Sequence, residues 1–156
     1  MRSARVVLSF GGIGFLPGPS GTYASLATAA IVVACSALGP PAFAPAVLVA
    51  VAFGSIATLL LGNGVAAADG SGDPSWVVTD EVAGQGLALL LAGLSPHRGL
   101  VTTVAAFALF RLFDIGKPGP VGAAERLPGG LGILADDLLA GALAGALALG
   151  AGWLLT

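Results

Sequence analysis

Three apolar runs without a charged residue, Thr22–Leu38, Ala44–Ala68 and Leu138–Leu155, leave this chain few ways to fold. Each is close to or above the ~20 residues that carry a helix across the hydrocarbon of a bilayer. Pro40 and Pro41 mark a tight turn between the first two. Two shorter runs, Val82–Leu94 and Leu100–Leu112, are separated by Ser95-Pro96-His97-Arg98-Gly99. They reach spanning length only by drawing in Asp80, Glu81 or Arg111. An ionisable group at the bilayer centre costs roughly 2.5–3.5 kcal/mol, so such residues must face a polar cavity inside a bundle. The runs therefore predict an all-α fold, a single domain over residues 1–156 built as a compact polytopic membrane bundle of about five helices. Small residues allow close helix contact in lipid. Gly141 and Gly145 give the last helix such a face, suited to packing within the bundle and, more weakly, to a homodimer.

Only 9% of residues are charged, and half of those, Arg111, Asp114, Lys117, Glu125, Arg126, Asp136 and Asp137, lie between positions 111 and 137. Five spans would put the polar segments Met1–Gly21, Gly62–Asp80 and Phe113–Asp137 on one side of the membrane. Arg2, Arg5, Lys117 and Arg126 all fall there, so the positive-inside rule makes that side cytoplasmic and collects the candidate chemistry on it. Trp76 and Trp153 are placed to anchor the interfaces. No basic tract points to nucleic acid. Cys35, the only cysteine, sits in an apolar run, which excludes an internal disulfide and suits helix packing. Gly and Pro break the first apolar stretch by Pro19, so it is a poor secretory signal and the chain reads as mature protein.

Four polar segments carry the chemistry. Gly11 to Leu26 is a glycine-rich entry to a helix, with Thr22 and Ser25 in its first turn. Backbone N–H groups there can hold an anion, although plain capping by Thr22 explains the same residues. Asp80 and Glu81 open the third helix, where acids suit the positive end of the dipole. Two adjacent carboxylates also crowd charge that a divalent cation would relieve. Arg111 and Asp114 are three apart, the spacing of an intrahelical ion pair. Lys117 precedes Pro118 and is pushed out of helical geometry, free to point at a ligand. Gly129-Gly130-Leu131-Gly132 permits close backbone approach to a ligand, and Asp136-Asp137 then opens the last helix. Two acidic pairs on one face, with no His or Cys cluster, favour magnesium over zinc. His97 falls on the other face as a loop residue. Glu125 reads as solvated, while Arg126 can join Arg111 and Lys117 in a phosphate clamp.

The order and spacing of Phe110-Arg111-Leu112-Phe113-Asp114-Ile115-Gly116-Lys117-Pro118-Gly119-Pro120, Glu125-Arg126, Gly129 to Ile133 and Asp136-Asp137 resemble the phosphatidylglycerophosphatase A family. The segment Asp73 to Gly84 is similar to its acidic motif, and Thr22, Ser25 and Leu26 to its N-terminal block. Ser20 and Ala24 depart from it, standing where the family has proline and glycine. The resemblance runs from about Phe10 to Gly145. It implies a magnesium-dependent phosphatase of the bacterial inner membrane, multi-pass, with its active site facing the cytoplasm. Phosphatidylglycerophosphate would be hydrolysed to phosphatidylglycerol and inorganic phosphate. Asp80, Glu81, Asp136 and Asp137 become metal candidates, with Asp80 and Asp137 counted as catalytic. Asp114 is a further ligand, a base or a nucleophile. Arg111 and Lys117 act in catalysis and, with Arg126, Thr22 and Ser25, bind the substrate phosphate.

Two other readings compete. Pro19-Ser20-Gly21-Thr22 is similar to the Pro-Ser-Gly-His segment of type-2 phosphatidic acid phosphatases, but Thr22 stands where the histidine nucleophile would be. A non-enzymatic membrane subunit or small transporter would explain apolar helices with a few buried charges. It does not require two acidic pairs on one face.

Overall fold

The computed structural model describes residues 2–69, 74–95 and 99–154. Asp73, His97 and Arg98 lie outside the described residues. The described residues contain α-helices and short 3-10 turns and no strand. The α-helices are α1 (Arg2–Leu8), α2 (Ser20–Ser36), α3 (Phe43–Asp69), α4 (Thr79–Ala92), α5 (Leu100–Gly116), α6 (Pro120–Ala124) and α7 (Gly130–Leu154).

The count is seven rather than about five because two segments expected as loops are short helices. Arg2–Leu8 forms α1, which is tied down where the backbone N–H of Val78 donates to Leu8 O at 2.9 Å. Pro120 starts α6, because a proline in the first helical turn needs no N–H partner. Among the described residues, two helices are long and apolar enough to cross a membrane, Phe43–Val65 and Gly130–Leu154. Only 22% of the Phe43–Val65 window is buried, and Val49, Ile56 and Leu60 face outward. A core helix of a water-soluble protein would be mostly covered, so this surface is suited to lipid.

At the centre lies α4, which touches α2, α3, α5 and α7 and packs most extensively on α7. Small residues make that crossing possible. A Cβ on Gly84 would come within 2.6 Å of Asp137 O and of the Phe110 ring, and one on Gly141 would overlap Gly84 O. The Gly141/Gly145 face is therefore occupied by α4, as bundle packing requires. Phe110 is fully buried among Ala88, Ala106, Ala140 and Ala144, which ties α5 to the same core. The Thr58 and Thr79 hydroxyls share a buried hydrogen bond of 2.8 Å that fixes the start of α4 against α3.

The last helix begins earlier than expected. Gly129 adopts φ 59°, and the side chain of Asn63 on α3 accepts a 2.7 Å hydrogen bond from Gly130 N. A cap supplied by another helix starts α7 at Gly130, so Asp136 and Asp137 lie beyond its first turn rather than opening it. The glycine run approaches α3 rather than a ligand, since a Cβ on Gly130 would reach 2.7 Å from Thr58 O. Trp76 stacks on Phe15 with ring centroids 5.4 Å apart, and Arg5 sits over both rings. Trp153 is exposed near the end of α7.

Candidate active site

Where the first turns of α2 and α4 meet the end of α5 and the second turn of α7, a cavity of about 260 Å³ opens. Five carboxylates line it, those of Asp80, Glu81, Asp114, Asp136 and Asp137, together with Lys117 and the backbone of Gly18 to Gly21. Asp80, Glu81 and Asp137 each bring an oxygen within 4.8 Å of the other two. Like charges this close repel strongly in a poorly solvated site. Oε2 of Glu81 and Oδ2 of Asp137 are buried and have no hydrogen-bond partner among the described residues. Hard oxygen donors, converging and incompletely satisfied, fit a divalent cation, and this trio could hold one.

Asp136 is turned elsewhere. Its Oδ2 pairs with Lys117 Nζ at 2.7 Å, and its Oδ1 accepts from Asp137 N at 3.1 Å. Adjacent residues on a helix point about 100° apart, so the second acidic pair divides its work. Asp137 joins Asp80 and Glu81, and Asp136 holds the lysine.

Lys117 terminates α5 in the left-handed region, at φ 43° and ψ 53°, immediately before Pro118. That geometry swings Nζ back to Asp136 and to Glu125 Oε1 at 2.6 Å. Burial disfavours the charged ammonium, but hydrogen bonds to the two carboxylates outweigh it and hold the lysine pKa above its ordinary value. Glu125, expected to be solvated, is exposed yet paired. Arg111 makes the intrahelical ion pair with Asp114 that the spacing implied, and its Nη1 lies 3.5 Å from the Ser25 hydroxyl.

The remaining sequence candidates fall around this centre. Ser25 is buried behind the cavity wall and donates to Gly21 O at 2.7 Å. Thr22 and Arg126 do not line the cavity, and Arg126 is exposed. The glycine-rich entry contributes backbone instead. The start of α2 faces the acids, and its positive dipole end lowers the cost of gathering them. Ser20 donates to Ser75 O at 2.7 Å, and Ala24 is fully buried beside Val78 and Val82. Both departures from the family pattern thus fasten α2 to the segment that leads into α4.

Two residues beside the site escaped the sequence reading. Gly21 has no side chain, and a Cβ there would collide with the Glu81 carboxylate. Gln85 is fully buried with neither amide atom partnered among the described residues. It follows Glu81 by four residues, a spacing that stacks the two side chains on one helix face.

A family model described as phosphatidylglycerophosphatase A matches residues 6–151. The chain belongs to the phosphatidylglycerophosphatase A family. Among curated proteins, 69 residues are 44% identical to a phosphatidylglycerophosphatase A of Haemophilus influenzae, covering 44% of this chain and 40% of that one. A Bacteroides thetaiotaomicron protein, named provisionally as a phosphatidylinositol-3-phosphatase, is 49% identical over 69 residues, covering 44% of this chain and 43% of its own. The matched segment thus spans less than half of either relative. No solved structure matches the chain. The matched range of this chain takes in both acidic pairs and the Arg111-to-Lys117 segment that frame the cavity.

Proposed function

We propose that this member of the family is a magnesium-dependent phosphatase of a membrane lipid, with phosphatidylglycerophosphate as substrate and phosphatidylglycerol and inorganic phosphate as products. The observation that carries the reading is the convergence of Asp80, Glu81 and Asp137 beside two cationic side chains on a largely apolar bundle. Five carboxylates against Arg111 and Lys117 leave a formal excess of three negative charges. A phosphate would not enter such a site without further positive charge. Magnesium held by Asp80, Glu81 and Asp137 would supply it, polarising the phosphoryl group when bound.

The chain's own residues then have distinct tasks. Arg111 and Lys117 each hold a carboxylate and stand ready to share their N–H donors with phosphoryl oxygens, where negative charge develops. Asp114 lines the cavity, is oriented by its ion pair with Arg111, and accepts a proton from the attacking water. Water oxygen bonds to phosphorus as the bond to the glycerol oxygen breaks, and Asp114 passes the proton to the departing alcohol. Asp136 orients Lys117 rather than the metal. The cavity opens on the side that carries Lys117, and the positive-inside rule makes this the cytoplasmic face of a multi-pass protein in the bacterial inner membrane.

Phosphate release from phosphatidylglycerophosphate by the detergent-solubilised protein, with magnesium and with chelator, tests the reading. Release that requires magnesium and vanishes in Asp137→Asn supports it. A folded wild type that releases nothing would return the chain to the non-enzymatic reading. Faster release from a phosphorylated inositol lipid would shift the substrate, not the chemistry.

A further inference from the structure

A second cavity, of about 460 Å³, lies at the far end of the same helices. Val32 and Val33 of α2, Phe43, Leu89 of α4, and Leu100 and Thr103 of α5 line it. We propose that this cavity receives an acyl chain of the lipid whose phosphate occupies the acidic site; the proposal rests on the phosphatase reading above.

The helix register supports this. Both cavities lie among α2, α4 and α5. Ser25 and Arg111 face each other at the polar end. Eight residues further along α2 is Val33, and eight residues back along α5 is Thr103, and both line the second cavity. Eight helical residues rise about 12 Å. One leaflet of hydrocarbon, half of the bilayer core, is about 15 Å deep. A chain attached to a headgroup at the Arg111 level therefore reaches the cavity within its own leaflet.

The walls present hydrocarbon. Among the described residues no charged side chain lines the cavity, and its hydroxyls are already engaged. Ser36 donates to Val32 O at 2.7 Å and Thr103 to Gly99 O at 3.0 Å, each within its own helix or the residue preceding it. Thr102 also has a partner. Contact between α2 and α5 is slighter than between α2 and α4, and Val33 and Val104 are exposed along that edge. The seam between α2 and α5 thus offers a lateral way in from lipid.

The test uses the full chain in mixed micelles and compares long-chain with short-chain phosphatidylglycerophosphate, beside a long-chain photoreactive analogue. Val33→Trp and Thr103→Trp fill the cavity from opposite walls. Each is expected to lower kcat/KM on the long-chain substrate about tenfold, the equivalent of roughly two buried methylenes. Short-chain turnover should stay unchanged, which also shows that the variants fold. The analogue should label Val32 to Ser36 and Leu100 to Thr103, and excess short-chain substrate should compete. Unchanged long-chain kcat/KM in both variants would overturn the proposal. So would equal labelling by a photolipid without the phosphate, because the occupant would then be bulk lipid. Failure of the wild type to release phosphate from either substrate would overturn the phosphatase reading, while the labelling would still decide the seam.

Discussion

The backbone of Gly21 rests directly against the carboxylate of Glu81, so closely that a Cβ at position 21 would overlap Glu81 Oε1 and lie 3.2 Å from Arg111 Nη1. The atoms in the way are the ends of flexible side chains, so the fold can absorb a methyl group by moving them. The site cannot absorb it as easily, since Glu81 would leave the position that converges with Asp80 and Asp137. Gly21→Ala is expected to cut magnesium-dependent phosphate release by ~10²-fold, the scale of a displacement of about 1 Å in a catalytic group. The melting temperature should shift little. Activity within about twofold of wild type would mean that Glu81 has no place in the chemistry, because a real contribution would cost far more than that.

The acidic trio and Asp136 should separate in a binding experiment. In chelator, the repulsion among Asp80, Glu81 and Asp137 destabilises the fold, so Asp137→Asn should melt above wild type. Magnesium should raise the wild-type melting temperature by mass action, as a ligand of the native state does. It should leave Asp137→Asn unmoved. Asp136→Asn should keep the magnesium-induced rise and lose turnover, because Lys117 then keeps only Glu125 as a charged partner and is drawn toward the exposed side of the site. An Asp136→Asn protein that no longer responds to magnesium would place Asp136 among the ligands.

Much of this site is legible in the sequence alone. The Arg111–Asp114 pair follows from i, i+3 spacing, and the break at Lys117 follows from Pro118. Membership of the trio was not legible for the second acidic pair. Which of Asp136 and Asp137 faces the cavity depends on the rotation of α7, and Asn63, some seventy residues away in sequence, helps set where that helix starts. Short helices such as α1 and α6 lack the length over which apolar periodicity shows. Gly21 acts through an absent side chain, which no motif of chemical groups can reveal.

Lys117 provides a pH test whose sign is fixed. Its folded-state pKa lies above the ordinary 10.5 because Asp136 and Glu125 hold the ammonium despite partial burial. A group raised on folding contributes stability that is fully present below its unfolded pKa and is lost as pH climbs toward the folded one. The difference in melting temperature between wild type and Lys117→Gln should therefore be constant from neutral pH to about 10 and shrink above it. A difference that does not change with pH would show that the lysine stem, not its charge, accounts for the stability.

Gln85 poses the sharpest conflict between stability and use. It is fully buried, and neither its amide oxygen nor its amide nitrogen has a partner among the described residues. Leaving such a group unsatisfied costs about 1–3 kcal/mol, and methionine would fill the same space without that cost. Gln85 lies one turn from Glu81 on α4 and outside the residues that line the acidic cavity, so the use open to its amide is to steady the Glu81 carboxylate from behind. Gln85→Met is expected to melt higher than wild type and to turn over more slowly, the exchange of stability for activity common at functional sites. Denaturant unfolding and phosphate release on the same preparation measure both sides. A variant that is more stable and equally active would make Gln85 a packing residue and would remove it from the site.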